Sequence, residues 1–196
     1  MNMIKNLIRA ILIFPCFALF NSCGDSPLIS NSLLKDEAVI IDIYEERIGS
    51  LSLRLKEAEL KNRLQNQLDL KRELDSLIFE VNHSLKESLR RRENVLNVPF
   101  SKMSDSSNFV IREIRVSNCL FNSGIMDFQV QLVAFATSLK NGHKTIKAEL
   151  CDSSGRALKT IHFIVTDDFP EKGKEVMLIS HAEGKLVLRN LYKIKI

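Results

Sequence analysis

The residue types that most often carry chemistry are few and scattered in this chain of 196 residues. Cysteines stand at Cys16, Cys23, Cys119 and Cys151, and histidines at His83, His143, His162 and His181. No His-x-x-x-His or Cys-x-x-Cys spacing occurs, so a zinc site would need Cys119, Cys151 and a histidine to converge in the fold. Asp167, Asp168 and Glu171 lie close in sequence, as weak calcium ligands do, but without the spacing of an EF-hand loop, and solvation of a loop accounts for them. No Gly-rich phosphate loop, Gly-x-Ser-x-Gly elbow or nucleophile context is present. The expectation is a protein with no catalytic residues, no metal and no cofactor. Cys119 and Cys151 are 32 residues apart, each near the end of an expected strand. In an exported domain they can form a disulfide, worth about 3–4 kcal/mol in the chain-entropy account; the alternative is a pair of small buried hydrophobes.

Cys23 has a different context. A basic start with Lys5 and Arg9 leads into a mostly apolar run from Ala10 to Phe20, then Asn21 and Ser22. That order is the pattern of an export signal. The run is too short for a transmembrane helix, which needs about 20 apolar residues. Leu19-Phe20-Asn21-Ser22-Cys23 resembles the lipobox of bacterial lipoproteins. The resemblance implies a signal peptide over 1–22, diacylation of Cys23 by a palmitate-class chain, and attachment of the mature protein to a membrane of the bacterial cell envelope. The alternative is an ordinary secretory signal cut near Ser22 that leaves Cys23 as a spare thiol. One acyl chain holds a protein only marginally, whereas two or three hold it stably.

With 1–22 removed, 26 basic and 24 acidic residues remain. So small an excess leaves no nucleic-acid footprint. The length suits one or two small domains.

Residues 23–35 read as a polar tether containing Pro27. From Asp36 to Leu96 there is no proline and one glycine, Gly49, among strong helix formers. Ile41, Tyr44, Ile48, Leu51, Leu55 and Ala58 alternate steps of three and four, the seam of a coiled coil. Leu60, Leu64 and Leu68 then step by four, and Leu74, Leu77, Val81 and Leu85 resume the mixed spacing, so the middle reads as a stutter. The stripe needs a partner: a second copy, the C-terminal domain, or its own second half if the helix bends at Gly49-Ser50. Arg90-Arg91-Arg92 near the helix end complements the negative pole of its dipole, and a contact with anionic lipid is the functional alternative. Asn97, Pro99 and the serines of 101–108 read as a linker, 97–107.

Beyond Asn108 the period changes to two. Phe109, Ile111 and Val116 alternate imperfectly; Phe128, Val130 and Leu132 alternate cleanly with Gln129 and Gln131, after which Val133 and Phe135 make both faces apolar, as in a strand covered on both sides. Turns at Asn122-Ser123-Gly124, Asn141-Gly142 and Asp152-Ser153-Ser154-Gly155 separate further short strands, the last over 186–196. About seven strands in roughly 90 residues predict a β-sandwich. The fold class is therefore α+β, with a long coiled-coil helix ahead of a small antiparallel sheet domain over 108–196.

Arg115-Val116-Ser117-Asn118, Lys144 to Leu150, Asp152 to Leu158 and Gly173-Lys174-Glu175 resemble the small immunoglobulin-like domains of bacterial exported proteins of the FxLyD type. The similarity covers roughly 108–180 and implies an immunoglobulin-like binding or spacer module, with no catalytic residues to carry over. Taken together, the sequence predicts a non-catalytic, lipid-anchored envelope protein. Its stalk would present a sandwich to another protein or to itself; the alternative is a small-ligand or glycan-binding lipoprotein.

Overall fold

The structure is a computed structural model describing residues 32–92, 96–102, 108–167 and 169–196. The expected signal peptide, Cys23, most of the tether, part of the linker and Asp168 lie outside the described residues. No helix among the described residues is long and apolar enough to cross a membrane.

Two antiparallel helices, α1 (Lys35–Leu60) and α2 (Leu64–Arg91), stand where one long coiled-coil helix was expected over 36–96. The chain reverses at Lys61-Asn62-Arg63, where Asn62 takes a φ of 50°, a left-handed conformation that asparagine tolerates. Arg63 N–H donates to the Ala58 carbonyl and Asn62 N–H to the Glu59 carbonyl, each at 3.1 Å. These are the paired bonds of a Schellman turn, which satisfy carbonyls that the helix end would leave open. Gly49-Ser50, where a bend was one of three ways to give the stripe a partner, stays helical. The two outer segments of the anticipated seam do face inward: Ile41, Ile48, Leu51 and Ala58 on α1, and Leu74, Leu77, Val81 and Leu85 on α2, are buried. Leu60 and Leu64, read as the stutter, flank the turn at 86% and 74% exposure.

The strands are β1 (Leu96–Asn97), β2 (Phe100–Ser101), β3 (Phe109–Asn122), β4 (Asp127–Ser138), β5 (Thr145–Cys151), β6 (Ala157–Val165), β7 (Glu175–Glu183) and β8 (Lys193–Lys195). They form one eight-stranded sheet in the order β1-β3-β4-β7-β6-β5-β8-β2, antiparallel except for β2 with β8 and curled into a half-barrel. The hydrogen bonding thus gives one continuous sheet in place of the two separate sheets of a sandwich. β6 and β7, both in the interior of the row, share a ladder of only two residue pairs, Ile164 with Ile179 and Val165 with Leu178. The imperfect alternation of β3 has a local cause. Register shifts between Ile111 and Glu113 and between Val116 and Asn118 each insert a residue, so that Phe109, Ile111, Ile114, Val116, Cys119 and Phe121 all remain buried.

Residues 96–101 correct the expectation of a plain linker. β1 pairs with β3 and β2 with β8, so β1 and β2 are the two end strands of the row. Only Val98 and Pro99 separate β1 from β2. Val98 N–H donates to the Ile114 carbonyl at 2.8 Å, and Ile194 N–H donates to the Pro99 carbonyl at 2.9 Å. One short segment therefore clasps both margins of the sheet.

The final expected strand, 186–196, is divided. A short helix, α3 (Lys185–Asn190), precedes β8 and contacts α1, β4 and β6. Leu188 and Leu191, three residues apart, are fully buried. A single hydrophobic cluster joins Ile41, Ile48, Leu77 and Val81 of the hairpin to Leu132, Leu150, Phe163 and Ile194 of the sheet. The hairpin is consequently part of the sheet's core, and no free stalk emerges from it.

Candidate functional site

Cys119 and Cys151 are both buried and unbonded. They lie on β3 and β5, with β4, β7 and β6 between them in the sheet order, and no disulfide joins them. Loss of hydration on burial, and secondarily the nearby Glu37 carboxylate, push the Cys119 thiol pKa far up. Burial foremost also raises that of Cys151. Neutral buried thiols are poor nucleophiles and poor metal ligands. The histidines stay apart. His83 stacks on Phe79 at 6.3 Å, His143 contacts Asn108 at 2.9 Å, and His181 contacts Gln131 at 3.1 Å. Glu171 pairs with Lys174 at 2.6 Å. Among the described residues no three His, Cys, Asp or Glu side chains gather as a metal site would require.

The arginine triplet divides into separate tasks. Arg92 lies at the base of the hairpin, where its Nη1 donates to the Leu33 carbonyl at 2.8 Å. Its Nη2 lies 2.5 Å from Asp36 Oδ2 and 2.9 Å from Glu37 Oε2, the latter out of line for a hydrogen bond. Glu37 is fully buried and accepts from Ser88 Oγ at 2.7 Å. A charge removed from water needs such partners. Arg92 therefore fastens the start of α1 to the end of α2, a role that dipole complementarity did not reveal. Arg90 pairs with Glu87 at 3.5 Å.

A second junction closes the edge of β3. Asn82 of α2 accepts from Phe121 N–H at 2.6 Å and donates to the Phe121 carbonyl at 3.2 Å. One carboxamide thus supplies what a neighbouring strand would, at an edge where unpaired backbone invites association.

One concavity lies between α1 and the β3–β4 turn. It is a cleft of about 500 Å³. Ile48, Gly49, Leu55, Leu74, Phe121 and Phe128 give it a largely apolar lining. Phe121 and Phe128 meet edge to face at 5.1 Å. Glu45, Lys56, Glu59, Asp127 and Lys185 supply charge, with Lys185 ion-paired to Glu45. Gly49 is the notable element. A Cβ built there would meet no atom within 4 Å, so no crowding inside the protein requires a glycine in the helix. Mid-helix glycine destabilises by roughly 0.5–1 kcal/mol relative to alanine. Its signal in the sequence is a lone glycine in a long helical run.

Comparison with known proteins adds little to this geometry. No family model matches the chain, and no curated protein does. A solved structure, the crystal structure of Campylobacter jejuni cj0090, aligns at 14% identity over 49% of this chain and 93% of that one, with a TM-score of 0.26. So distant a likeness carries no argument.

Proposed function

We propose that this chain is a non-catalytic, lipid-anchored cell-envelope protein, attached to a membrane through Cys23, that binds a protein partner in the cleft beside Gly49. The cleft supports the reading: apolar floor, charged rim, and a stretch of bare helical backbone open to a close approach. Concave apolar surface with a few polar groups around it is the usual form of a binding site. The anchor half of the proposal rests on the leader and Cys23. An apolar side chain or helix edge of the partner fills the space over Gly49, and the rim charges set its orientation. A small-ligand reading is favoured by one observation, the cleft volume of about 500 Å³, which falls within the usual range of small-molecule sites.

Two experiments separate the parts. Labelling with a clickable fatty acid in the wild type and in Cys23→Ala tests the anchor; label in the wild type alone supports it, and label in neither removes it. For the cleft, a photo-crosslinking residue at Ser52, which lines it, is compared with one at exposed Lys71 in intact cells. A discrete protein adduct from position 52, absent from 71 and lost in Gly49→Leu, supports a protein partner. Equal adducts from both positions, or none, refute it, and a small photolabelled species from position 52 alone would transfer the cleft to the small-ligand reading.

A further inference from the structure

A second concavity, of about 810 Å³, lies on the outer face of the sheet beside the end of α2. Val133, Phe135, Met177, Leu89 and Leu96 contribute apolar surface to it. Val133 and Phe135 are the residues whose pattern predicted a strand covered on both faces, yet they are only half-buried, and Met177 is exposed. Lys86, Arg90 and Arg115 also line it, and among the described residues no carboxylate does. Arg115 is held in place by Glu113, with Nε 2.6 Å from Oε1, and its guanidinium lies 5.2 Å from the centre of the Phe135 ring. Arg90 pairs with Glu87 at 3.5 Å, so Lys86 is the cation of the three without an ion pair among the described residues; apolar surface lined by cationic side chains complements an amphiphilic anion.

The position of the groove selects which amphiphile. Lys86 and Arg90 belong to the turns of α2 that adjoin the start of α1, where Arg92 binds Leu33 and Asp36. The chain enters the fold at this same end. The eight residues 24–31 lead from Cys23 to Ser32, and a peptide of that length reaches at most roughly 30 Å. The other end of the hairpin, at Lys61-Asn62-Arg63, lies the whole length of α1 away, about 39 Å for the 26 residues of that helix. If Cys23 sits in a bilayer, the cationic groove is at the end of the hairpin that the tether keeps within about 30 Å of it, and the hairpin turn is at the opposite end. We propose that the groove docks on the membrane surface, with anionic phospholipid headgroups between Lys86, Arg90 and Arg115 and acyl carbons against Phe135 and Met177. The location rests on the anchor reading; the chemistry of the groove does not.

The test therefore uses protein without the anchor: the chain from Gly24 onward, which keeps the whole hydrophobic cluster and all eight strands. Co-sedimentation is measured with phosphatidylcholine vesicles with and without phosphatidylglycerol, for the wild type, for Lys86→Glu/Arg90→Glu, for the milder Lys86→Gln/Arg90→Gln, and for Lys61→Glu/Arg63→Glu at the far turn, with matched thermal unfolding. The expected result is binding that requires phosphatidylglycerol, falls at least about tenfold in the groove charge reversal, falls less in the glutamine pair, and stays within about twofold of wild type in the turn variant. Equal losses from groove and turn would mean diffuse attraction and overturn the proposal. No preference for anionic vesicles would overturn it too, and saturable binding of a glutamate-rich peptide without vesicle binding would assign the groove to an acidic protein. Fatty-acid labelling at Cys23 is independent of all these outcomes, so loss of one reading is distinguishable from loss of the other.

Discussion

Gly49→Ala is expected to separate stability from binding by moving them in opposite directions. The position is interior to α1, and its added methyl group would contact no atom within 4 Å. No repacking offsets the gain in helix propensity, which is about 0.8–1 kcal/mol for glycine to alanine. Part of that gain comes from the unfolded chain, which loses freedom when glycine is replaced. For a domain of this size 1 kcal/mol corresponds to roughly 2–4 °C in Tm. Urea unfolding should show a higher midpoint with an unchanged slope, since the surface exposed on unfolding hardly differs. The same methyl group stands in the cleft, so the adduct from a crosslinker at Ser52 should diminish, and Gly49→Leu should abolish it while leaving the fold intact. A lower midpoint for Gly49→Ala would mean that the space beside Gly49 is not open, and would remove the physical basis of the binding site. A higher midpoint with undiminished crosslinking would place the partner elsewhere.

Asn82→Ala removes both hydrogen bonds at the Phe121 edge and should cost about 1–3 kcal/mol, with concentration-dependent association detectable by light scattering because the edge is uncovered; unchanged stability and monodispersity would refute the edge role. Arg92→Gln leaves the buried Glu37 carboxylate without its cation and should cost about 3–5 kcal/mol in urea unfolding, most of it recovered in the double variant Glu37→Leu/Arg92→Met; equal losses in both variants would contradict the assignment. The raised Cys119 pKa fixes a sign for alkaline pH. Below the unfolded thiol pKa of about 8.5 both states hold the proton and the stabilisation is complete. As pH rises above it the unfolded thiol ionises first, so stability falls. Unfolding at a series of pH values should show this decline, with a smaller slope in Cys119→Ala. Cys119 and Cys151 should also resist a thiol reagent at pH 8 until the protein unfolds.

Much of the architecture could be read from local chemistry. The inward stripes at Ile41 to Ala58 and Leu74 to Val81, the strand from Phe128, and the Asp152-to-Gly155 turn, where Gly155 has φ of 85° and Arg156 N–H donates to Asp152 Oδ1 at 2.9 Å, all follow from spacing and turn residues. What was hidden depended on distant partners. Leu60, Leu64 and Leu68 carry the same spacing whether a helix drifts or reverses, and the decision fell to a single asparagine. Three-residue steps in β3 resembled poor alternation because a bulge has no signature in composition. Asn97 to Ser101 read as a linker, and Leu96 as the end of a helix, because their pairing partners lie on β3 and β8. The cleft was partly visible, through Gly49, but its other wall comes from Phe121 and Phe128, far away in sequence. The cationic groove draws on α2, β3, β4 and β7, and no sequence window contains it.

The segment that clasps the two margins of the sheet also sets a timetable. Phe100 pairs with Ile194 and Ser101 with Lys195, and Ile196 N–H donates to the Ser101 carbonyl at 2.9 Å. Leu33 N–H likewise donates to the Leu191 carbonyl at 2.8 Å. A chain made or threaded from its N-terminus can form the helical hairpin and the β3–β4 pair early, but it holds β2 and the start of α1 unsatisfied until residues 191–196 arrive. Long-range pairing of this kind slows the final step of folding. It also makes residues 193–196 a condition of closure: a copy lacking them would keep most of its core and leave β2 and the outer margin of β5 without their β8 partner.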